Sequence, residues 1–312
     1  MPPLRVATRG SALARWQAER VAELLGVDAE YVVVSTKGDE RRDVPIHAMG
    51  GTGVFVKEVE QTVLDGRADV AVHSAKDLPS VTAPGLVLAA LPERGDARDA
   101  LVGRAFADIA TGGRVGTGSV RRRAQLAALR PDLGFGELRG NIPTRLEKAA
   151  GFDAIVLAAA ALDRLGLADR IAERLDPSVL LPQVAQGALA VECRSDDDEA
   201  RGLVAPIDDA MVRAAVTAER GYLAALGGGC NLPCGALAET GEDGTVRLEV
   251  LLASLDGRIT LRLDVAGDDP MAVGVEAARR LVEERGGRLV LDEELVLASQ
   301  DPDYWGSATP KR

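Results

Sequence analysis

Short apolar runs alternate with amphipathic stretches through the first ninety residues. Ser11 is suited to cap a helix because apolar positions at helical spacing follow it, and Phe55–Leu64 has a similar helical pattern. Four apolar runs predict strands: Leu4–Thr8, Tyr31–Thr36, Val70–Ser74 and Leu86–Leu91. Strands that alternate with helices are typical of βαβ units around a parallel sheet.

A second α/β unit follows the charged connector Glu93–Asp99. Val115 leads there into the glycine-rich segment Gly116–Ser119, and Val120–Leu129 and Pro143–Ala150 have helical patterns. Further strands are predicted at Glu137–Arg139, Ala154–Ala159 and Gly187–Cys193. The Ala154 run contains no polar residue, which is typical of a strand buried on both faces.

The last hundred residues have an α+β pattern. The helix predicted at Ala210–Leu226 stops at three glycines, and strands are predicted at Arg247–Leu252 and Ile259–Val265. A further helix is expected near Met271–Glu284, and the tail Ser299–Arg312 is expected to be frayed.

The length of 312 residues predicts two or three domains, because single cores rarely grow beyond about 250–300 residues. No run approaches the roughly 18 apolar residues that a membrane span requires. The amino-terminal residues lack the pattern of a secretion signal. We therefore expect a cytoplasmic protein without a membrane partner.

Charge is distributed unevenly along the chain. There are 37 basic and 48 acidic residues, a net charge of −11, which argues against nucleic acid as a partner. The window from Arg114 to Lys148 nevertheless holds eight basic and three acidic residues, so it carries +5 and the remainder −16. Arginine outnumbers lysine 32 to 5, and its planar fork suits carboxylates and phosphates. A cluster of this kind favours a small polyanionic ligand.

Histidine and cysteine content limits the possible chemistry. His47 and His73 are the only histidines, too few for a multi-histidine metal site, and His73 inside a predicted strand is expected to be packed. The cysteines Cys193, Cys230 and Cys234 form no Cys-x-x-Cys pair, so free thiols in a reducing compartment are expected. We predict no metal site.

Polar clusters follow several predicted strands, where ligands bind in open α/β sheets. They are Arg9-Gly10-Ser11, Lys37-Gly38-Asp39, Lys76-Asp77 and Gly118-Ser119 with Arg121-Arg122. No glycine-rich nucleotide motif accompanies them.

Each candidate also has a structural interpretation, and the residues alone leave both open. Arg121–Arg123 and Lys57 suit solvated helix positions, and Ser119 suits a helix cap. Asp77 suits a turn, or a carboxylate that stabilises a cation or exchanges a proton. Cys230 suits a small buried side chain, or a nucleophile on a glycine-rich loop.

The order of these motifs resembles the porphobilinogen deaminase (hydroxymethylbilane synthase) family. The matching segments run from about residue 4 to past Cys230, and the carboxyl-terminal part matches in length and pattern. They are Ala7–Ser11, Phe55–Glu58, Val72–Pro79, Gly116–Arg122, Leu138–Asn141, Thr144–Leu146, Gln186–Gly187 and Gly228–Cys230.

The resemblance implies an enzyme that joins four porphobilinogen molecules head to tail with loss of ammonia and then releases hydroxymethylbilane by hydrolysis. It implies a dipyrromethane cofactor attached to Cys230 by a thioether, Asp77 as the catalytic residue, and a monomer. Cofactor-binding positions would be Lys76, Ser119, Arg121, Arg122, Arg139 and Arg145. Substrate-binding positions would be Arg9, Ser11, Arg164, Gln186 and Lys57. Thr52 departs from the family pattern, because a lysine is frequent there, and a loop contact is therefore in doubt.

The implied fold class is α/β. Two domains like those of periplasmic binding proteins, 1–92 with 188–205 and 98–181, would be joined by hinges, and a smaller α+β domain, 210–312, would present Cys230 to the cleft. Two other classes of protein remain open at this point. One is a non-catalytic anion-binding protein of the same two-lobed shape, and the other is an enzyme that forms a Schiff base on Lys76.

Overall fold

The computed structural model describes residues 2–36, 53, 56–227 and 232–291. Its strands are β1 (Leu4–Arg9), β2 (Ala29–Val34), β3 (Val70–Ser74), β4 (Leu86–Ala90), β5 (Asp99–Gly103), β6 (Arg114–Gly116), β7 (Gly134–Gly136), β8 (Ala154–Ala158), β9 (Glu173–Arg174), β10 (Leu189–Arg194), β11 (Cys234–Thr240), β12 (Val246–Ala253) and β13 (Thr260–Gly267). Its α-helices are α1 (Ala12–Leu25), α2 (Lys57–Leu64), α3 (Val120–Leu129), α4 (Ile142–Lys148), α5 (Ala159–Arg164), α6 (Asp198–Val204), α7 (Ala210–Ala225) and α8 (Pro270–Glu283).

The first sheet has the order β2-β1-β3-β10-β4, and with its helices it forms the first lobe. Strands β1, β2 and β3 are parallel, whereas β10 is antiparallel to both of its neighbours. Val70 and Val72 of β3 join a core with α1 and α6, while Ala71 joins another with α2. Because successive strand residues point to opposite faces, an apolar strand is buried on both sides here.

The second sheet repeats this topology in the order β7-β6-β8-β5-β9, and with its helices it forms the second lobe. Three parallel strands are again followed by an antiparallel one, β5. In each lobe the antiparallel strand is the first strand after the chain has crossed over from the other lobe. The two crossings, 91–98 and 175–188, lie side by side: Gly95 N donates to Gly187 O at 3.0 Å, and Leu189 N donates to Glu93 O at 3.0 Å.

The third sheet is the antiparallel meander β11-β12-β13, on which α7 and α8 pack. Its core is continuous with that of the first lobe, since Leu78 and Leu91 belong to the same cluster as Tyr222. It also contacts the second lobe, where a Cβ on Gly257 would lie 2.3 Å from the carbonyl oxygen of Ala124 in α3. The third sheet therefore packs against both lobes.

The expected fold class is confirmed: two α/β lobes and a smaller carboxyl-terminal sheet are present. Most predicted elements are found, but both large sheets are mixed rather than parallel, and strands β5, β9 and β11 and helix α5 were not predicted. The prediction of a strand at Glu137–Arg139 was wrong, and β2 begins two residues before the predicted Tyr31. The strand is instead Gly134–Gly136, where a Cβ on Gly136 would lie 2.5 Å from the ring of Phe152. A side chain at position 136 would collide with that ring, so glycine is required there. Counting apolar residues along the sequence does not reveal such a strand.

Several predicted features lie outside the described residues. These are His47, the cluster Lys37–Asp39, Thr52, Phe55, Cys230 and the tail Ser299–Arg312. Within the described ranges, no helix is long and apolar enough to cross a membrane.

Candidate active site

Lys76 and Asp77 lie immediately beyond the carboxyl end of β3, in the short 3₁₀ turn Ala75–Asp77. The turn is held to the second crossing, since Ala75 N donates to Ala188 O at 3.0 Å and Gln183 Nε2 donates to Lys76 O at 3.1 Å. The position predicted from sequence, at a strand end, is confirmed. These two hydrogen bonds fix the position of the turn relative to the crossing.

The ammonium of Lys76 is enclosed by other charged groups. Burial lowers the pKa of Lys76 to about 8, Asp77 and Asp99 oppose the shift, and Arg121 and Arg122 add to it. Its Nζ donates to Oε1 of Gln186 at 3.3 Å. Lys76 is therefore mostly protonated at neutral pH, next to two arginines of the other lobe.

Ser119 caps helix α3 of the second lobe, because its side-chain oxygen accepts from Arg122 N at 3.5 Å. The helix begins at Val120, so Arg121 and Arg122 both lie in its first turn, just beyond the carboxyl end of β6. The cap interpretation of Ser119 is thus confirmed. The alternative in which Arg121 and Arg122 are solvated is wrong, since only 3% and 6% of their surfaces are exposed.

Both arginines share one buried carboxylate, that of Asp99. Arg122 donates from Nε and Nη2 to Asp99 Oδ1 at 3.0 and 2.7 Å, and from Nη1 to Val156 O at 2.9 Å. Arg121 Nη1 lies 2.8 Å from Asp99 Oδ2 and donates to Leu181 O at 2.7 Å. Burial would raise the pKa of Asp99, but the charges of Arg121 and Arg122 outweigh it and hold the pKa well below its usual range.

Arg121 retains unpaired donors. Its Nε and Nη2 are buried and have no hydrogen-bond partner among the residues that the structure describes. These two nitrogens form the side of the guanidinium that binds a carboxylate bidentately. Buried donors without partners are rare and point to a ligand.

Gln186 connects the two lobes. Its Oε1 accepts from Lys76, and its Nε2 donates to Asp99 Oδ1 at 3.0 Å and to Ala97 O at 2.8 Å. The side chain is fully buried between the crossings. Sequence reasoning placed Gln186 in the site, and the structure puts it in direct contact with Lys76.

Two more cations belong to helices of the second lobe. Arg145 donates Nε to Gly140 O at 2.7 Å, and burial, followed by repulsion from Arg122 and Arg139, lowers its pKa to about 10. Asp77 opposes that shift, which places its carboxylate within electrostatic range of both Lys76 and Arg145.

Arg164 extends the cationic region toward the first lobe. It donates Nη2 to Gly187 O at 2.7 Å, and its guanidinium lies 5.3 Å from the ring centroid of Trp16 in α1. Burial lowers its pKa. In the described part of the chain, neither Arg164 nor Arg145 nor Lys76 forms an ion pair with a carboxylate. Such cations are available to an anionic ligand.

The remaining predicted residues lie at the ends of strands and helices of both lobes. Ser11 caps α1 by accepting from Ala14 N at 3.2 Å. Arg9 ends β1, and Lys57 is the exposed first residue of α2. Arg139 lies in the loop after β7, and its carbonyl accepts from Lys148 Nζ at 3.1 Å.

Asp99 is the one central residue that sequence reasoning missed. It was assigned to the end of a charged connector, yet it is the first residue of a buried strand. An acidic residue directly before the apolar run Ala100–Val102 was the available signal. His73 is buried 3.3 Å from Glu192, so it is packed as expected, and Cys193 is fully buried.

The arrangement fits a dipyrromethane group, whose side chains are carboxylates. Arg121 offers an unpaired bidentate edge, and Lys76 and Arg145 add positive charge without carboxylate partners in the described chain. Repulsion among these cations is relieved when an anion binds.

Two family models match the chain. "Porphobilinogen deaminase, dipyromethane cofactor binding domain" matches residues 4–202, and "Porphobilinogen deaminase, C-terminal domain" matches residues 213–283. Among similar proteins, the porphobilinogen deaminase of Syntrophotalea carbinolica is 47% identical and covers 92% of this chain and 95% of its own. Those of Roseiflexus sp. (46%, covering 92% and 98%) and Acidothermus cellulolyticus (44%, covering 98% and 96%) are comparable.

Solved structures give a weaker match. A periplasmic His/Glu/Gln/Arg/opine family-binding protein from Silicibacter pomeroyi in complex with lysine covers 71% of this chain and 93% of its own. The sequence identity is 13% and the TM-score 0.37, too low for a functional comparison.

Proposed function

The chain belongs to the porphobilinogen deaminase family, and we propose that the basic side chains between its two lobes bind the carboxylates of the growing pyrrole chain while Asp77 acts at the reacting centre. The activity is that of the family: a transferase of tetrapyrrole biosynthesis that condenses porphobilinogen and releases hydroxymethylbilane. Its cofactor is dipyrromethane, as the matched cofactor-binding domain shows. The roles of individual residues are the proposal.

The unpaired buried edge of Arg121 is the observation that carries this assignment. Each porphobilinogen has an acetate and a propionate, so each addition brings two negative charges into the cleft. Arg121, Arg122, Arg139 and Arg145 of the second lobe and Lys76 of the first would hold the cofactor carboxylates, with Ser119 fixing the helix turn on which two of them lie. Arg9, Ser11, Lys57, Arg164 and Gln186 would contact incoming substrate.

Cys230 is proposed to hold the cofactor covalently. When bound, dipyrromethane supplies the pyrrole carbon at which the first substrate is joined. Helix α7 ends at Ala225, and Gly227 adopts a φ of 67°, so the chain turns away from the helix just before the segment that carries the thiol. The assignment of Cys230 itself rests on the sequence match, because that residue lies outside the described ranges.

Asp77 is proposed as the catalytic residue. Its carboxylate lies among cations and stabilises the positive charge that develops on the substrate when ammonia leaves. It also accepts hydrogen bonds from pyrrole N–H groups and moves a proton in the condensation. Lys76 beside it, protonated at neutral pH, binds a carboxylate and keeps that region positive.

The three-domain division into 1–92 with 188–205, 98–181 and 210–312 forms part of this proposal, as do a monomeric state and a cytoplasmic location. The side-by-side crossings support hinges at 91–98 and 175–188, because those segments alone join the sheets of the two lobes. Small-angle scattering of the loaded intermediates tests the hinges. Identical profiles for all chain lengths would contradict hinge motion.

Intact-protein mass spectrometry tests the assigned roles. The wild type is expected to carry an adduct of two pyrrole units, and Cys230→Ala none. Asp77→Ala should keep its adduct and its fold while turnover falls by about 100-fold or more. An unmodified and fully active wild type would contradict the cofactor assignment, and near-normal turnover of Asp77→Ala would contradict the catalytic role.

A further inference from the structure

Asp99 lies where the chain enters the second lobe. It is the first residue of β5 and is fully buried. Its Oδ1 accepts from both Arg122 and Gln186, and its Oδ2 lies 2.8 Å from Arg121 Nη1. None of the motifs that carry the family resemblance contains this residue.

We infer that Asp99 is a positioning residue that aims the cofactor-binding cations of both lobes into the cleft. This inference rests on the proposed function, because it concerns the orientation of the side chains that bind the cofactor. A buried counter-ion alone would only neutralise charge; Asp99 also determines which edge of each guanidinium faces the ligand.

Arg121 is held at one end of its planar guanidinium. Its Nη1 donates to Leu181 O at 2.7 Å and forms an ion pair with Asp99 Oδ2 at 2.8 Å. The opposite edge, Nε and Nη2, is thereby left in a single orientation without a partner in the described chain. Because the group is planar, fixing one end fixes the direction of the free edge.

Arg122 is held by the same carboxylate through a different pair of nitrogens. The carboxylate occupies the Nε and Nη2 edge, while Val156 O accepts from Nη1. Two adjacent buried cations repel each other, and burial lowers the pKa of Arg122. One shared carboxylate holds both guanidinium groups in place and leaves one net positive charge for the ligand.

Gln186 extends this network across the cleft. Asp99 Oδ1 and Ala97 O only accept hydrogen bonds, so together they turn the Nε2 of the Gln186 amide toward the second lobe. Its Oε1 is then directed at Lys76 Nζ, a group of the first lobe. Asp99 in this way orients Lys76 through the Gln186 side chain, although the two residues belong to different lobes.

The experiment compares Asp99→Glu and Asp99→Asn with the control Asp96→Asn. Asp96 lies three residues before Asp99, on the first crossing, and also binds two arginines, Arg98 and Arg174, but within the described ranges it pairs with none of the cleft cations. Intact mass gives the fraction of each variant that carries the pyrrole adduct, and circular dichroism checks the fold. Displacement by about 1 Å can cost about 100-fold in a reaction that depends on orientation.

Asp99→Glu keeps the charge but lengthens the side chain by one methylene. We expect it to fold and to carry much less adduct than Asp96→Asn, which should be fully loaded. Full loading of folded Asp99→Glu would overturn the inference, as would full loading of Asp99→Asn. An unloaded wild type would instead contradict the proposed function, so the two failures are distinguishable.

A second measurement does not depend on loading. In the Cys230→Ala background, the pH dependence of acetylation at Lys76 reports the fraction of free amine. Lys76 faces Asp77, Asp99, Arg121 and Arg122, and Asp99 raises its pKa. Asp99→Asn should move the acetylation midpoint to lower pH, whereas Asp96→Asn should not. An unmoved midpoint in Asp99→Asn would overturn the link to Lys76.

Discussion

The guanidinium of Arg94 donates to both carboxylate oxygens of Glu219, at 2.6 and 3.2 Å. Glu219 is fully buried in α7, and its oxygens also accept from the N–H groups of Ala185 and Ala238. Arg94 Nε in turn donates to Gln186 O at 3.1 Å. One carboxylate thus connects both crossings to the third sheet, at the point about which the lobes would hinge.

Removing that charge should destabilise the protein. Glu219→Gln leaves Arg94, whose side chain is 12% exposed, without its counter-ion, and loss of one partner of a buried pair costs up to about 3–5 kcal/mol. Urea denaturation measures the free energy of unfolding. The control Glu239→Gln, exposed on β11, should change it by less than about 0.5 kcal/mol. Equal values for the two variants would mean that the pair contributes little.

Anion binding by the cofactor-free protein should depend on the charge of Lys76. Without a bound anion, burial lowers the pKa of Lys76 to about 8, so its positive charge is lost as pH rises through that value. In Cys230→Ala we expect the affinity for porphobilinogen to fall above about pH 8, because a neutral amine binds carboxylates poorly. Adding Lys76→Arg keeps the charge and should extend the plateau of affinity to higher pH. An unchanged alkaline decline with Lys76→Arg would assign the titration to another group.

The same shift has a consequence for stability. Between about pH 8 and the ordinary value of 10.5, the unfolded chain holds a proton that folded Lys76 has released. Stability rises with pH wherever the unfolded state binds more protons, so this residue contributes a rise over that window. Unfolding of Lys76→Met at several pH values should lack that contribution, and identical pH dependence in both proteins would refute it.

Bidentate binding by Arg121 can be separated from its charge. Arg121→Lys keeps the charge but has no planar edge, so we expect adduct retention to fall by about tenfold or more. Arg130→Lys is the matched control, since Arg130 pairs with Asp132 at the other end of α3, away from the cleft. Intact mass spectrometry measures both. Full adduct in Arg121→Lys would show that charge alone suffices.

Close packing of α7 against α8 depends on Gly274. A Cβ there would lie 2.2 Å from Ala218 O, so Gly274→Ala should destabilise the protein by about 1–3 kcal/mol through overpacking. Gly202 in α6 has nothing within 4 Å of its Cβ position, and Gly202→Ala should be neutral or stabilising by up to about 1 kcal/mol. Thermal unfolding compares the two variants, and a higher Tm for Gly274→Ala would contradict the contact.

Local pattern was sufficient for much of the fold. Helix α3 and strand β3 have the predicted bounds, because the spacing of apolar residues reports which faces are buried. The ordered motifs also identified the family, and with it the positions Lys76, Arg121 and Gln186. Ser119 shows the limit of such patterns, since a helix cap and a ligand contact have the same local sequence.

Tertiary structure alone decided how those positions meet. Gln186 and Asp99 are 87 residues apart in sequence, and Lys76 and Gln186 are 110 apart. No periodicity connects residues at such separations; the two crossings bring them together because they lie side by side where the chain passes between the lobes. Sequence by itself therefore determined the family and its cationic residues. Packing determined the role of Asp99, because only the folded structure buries its carboxylate in contact with both arginines.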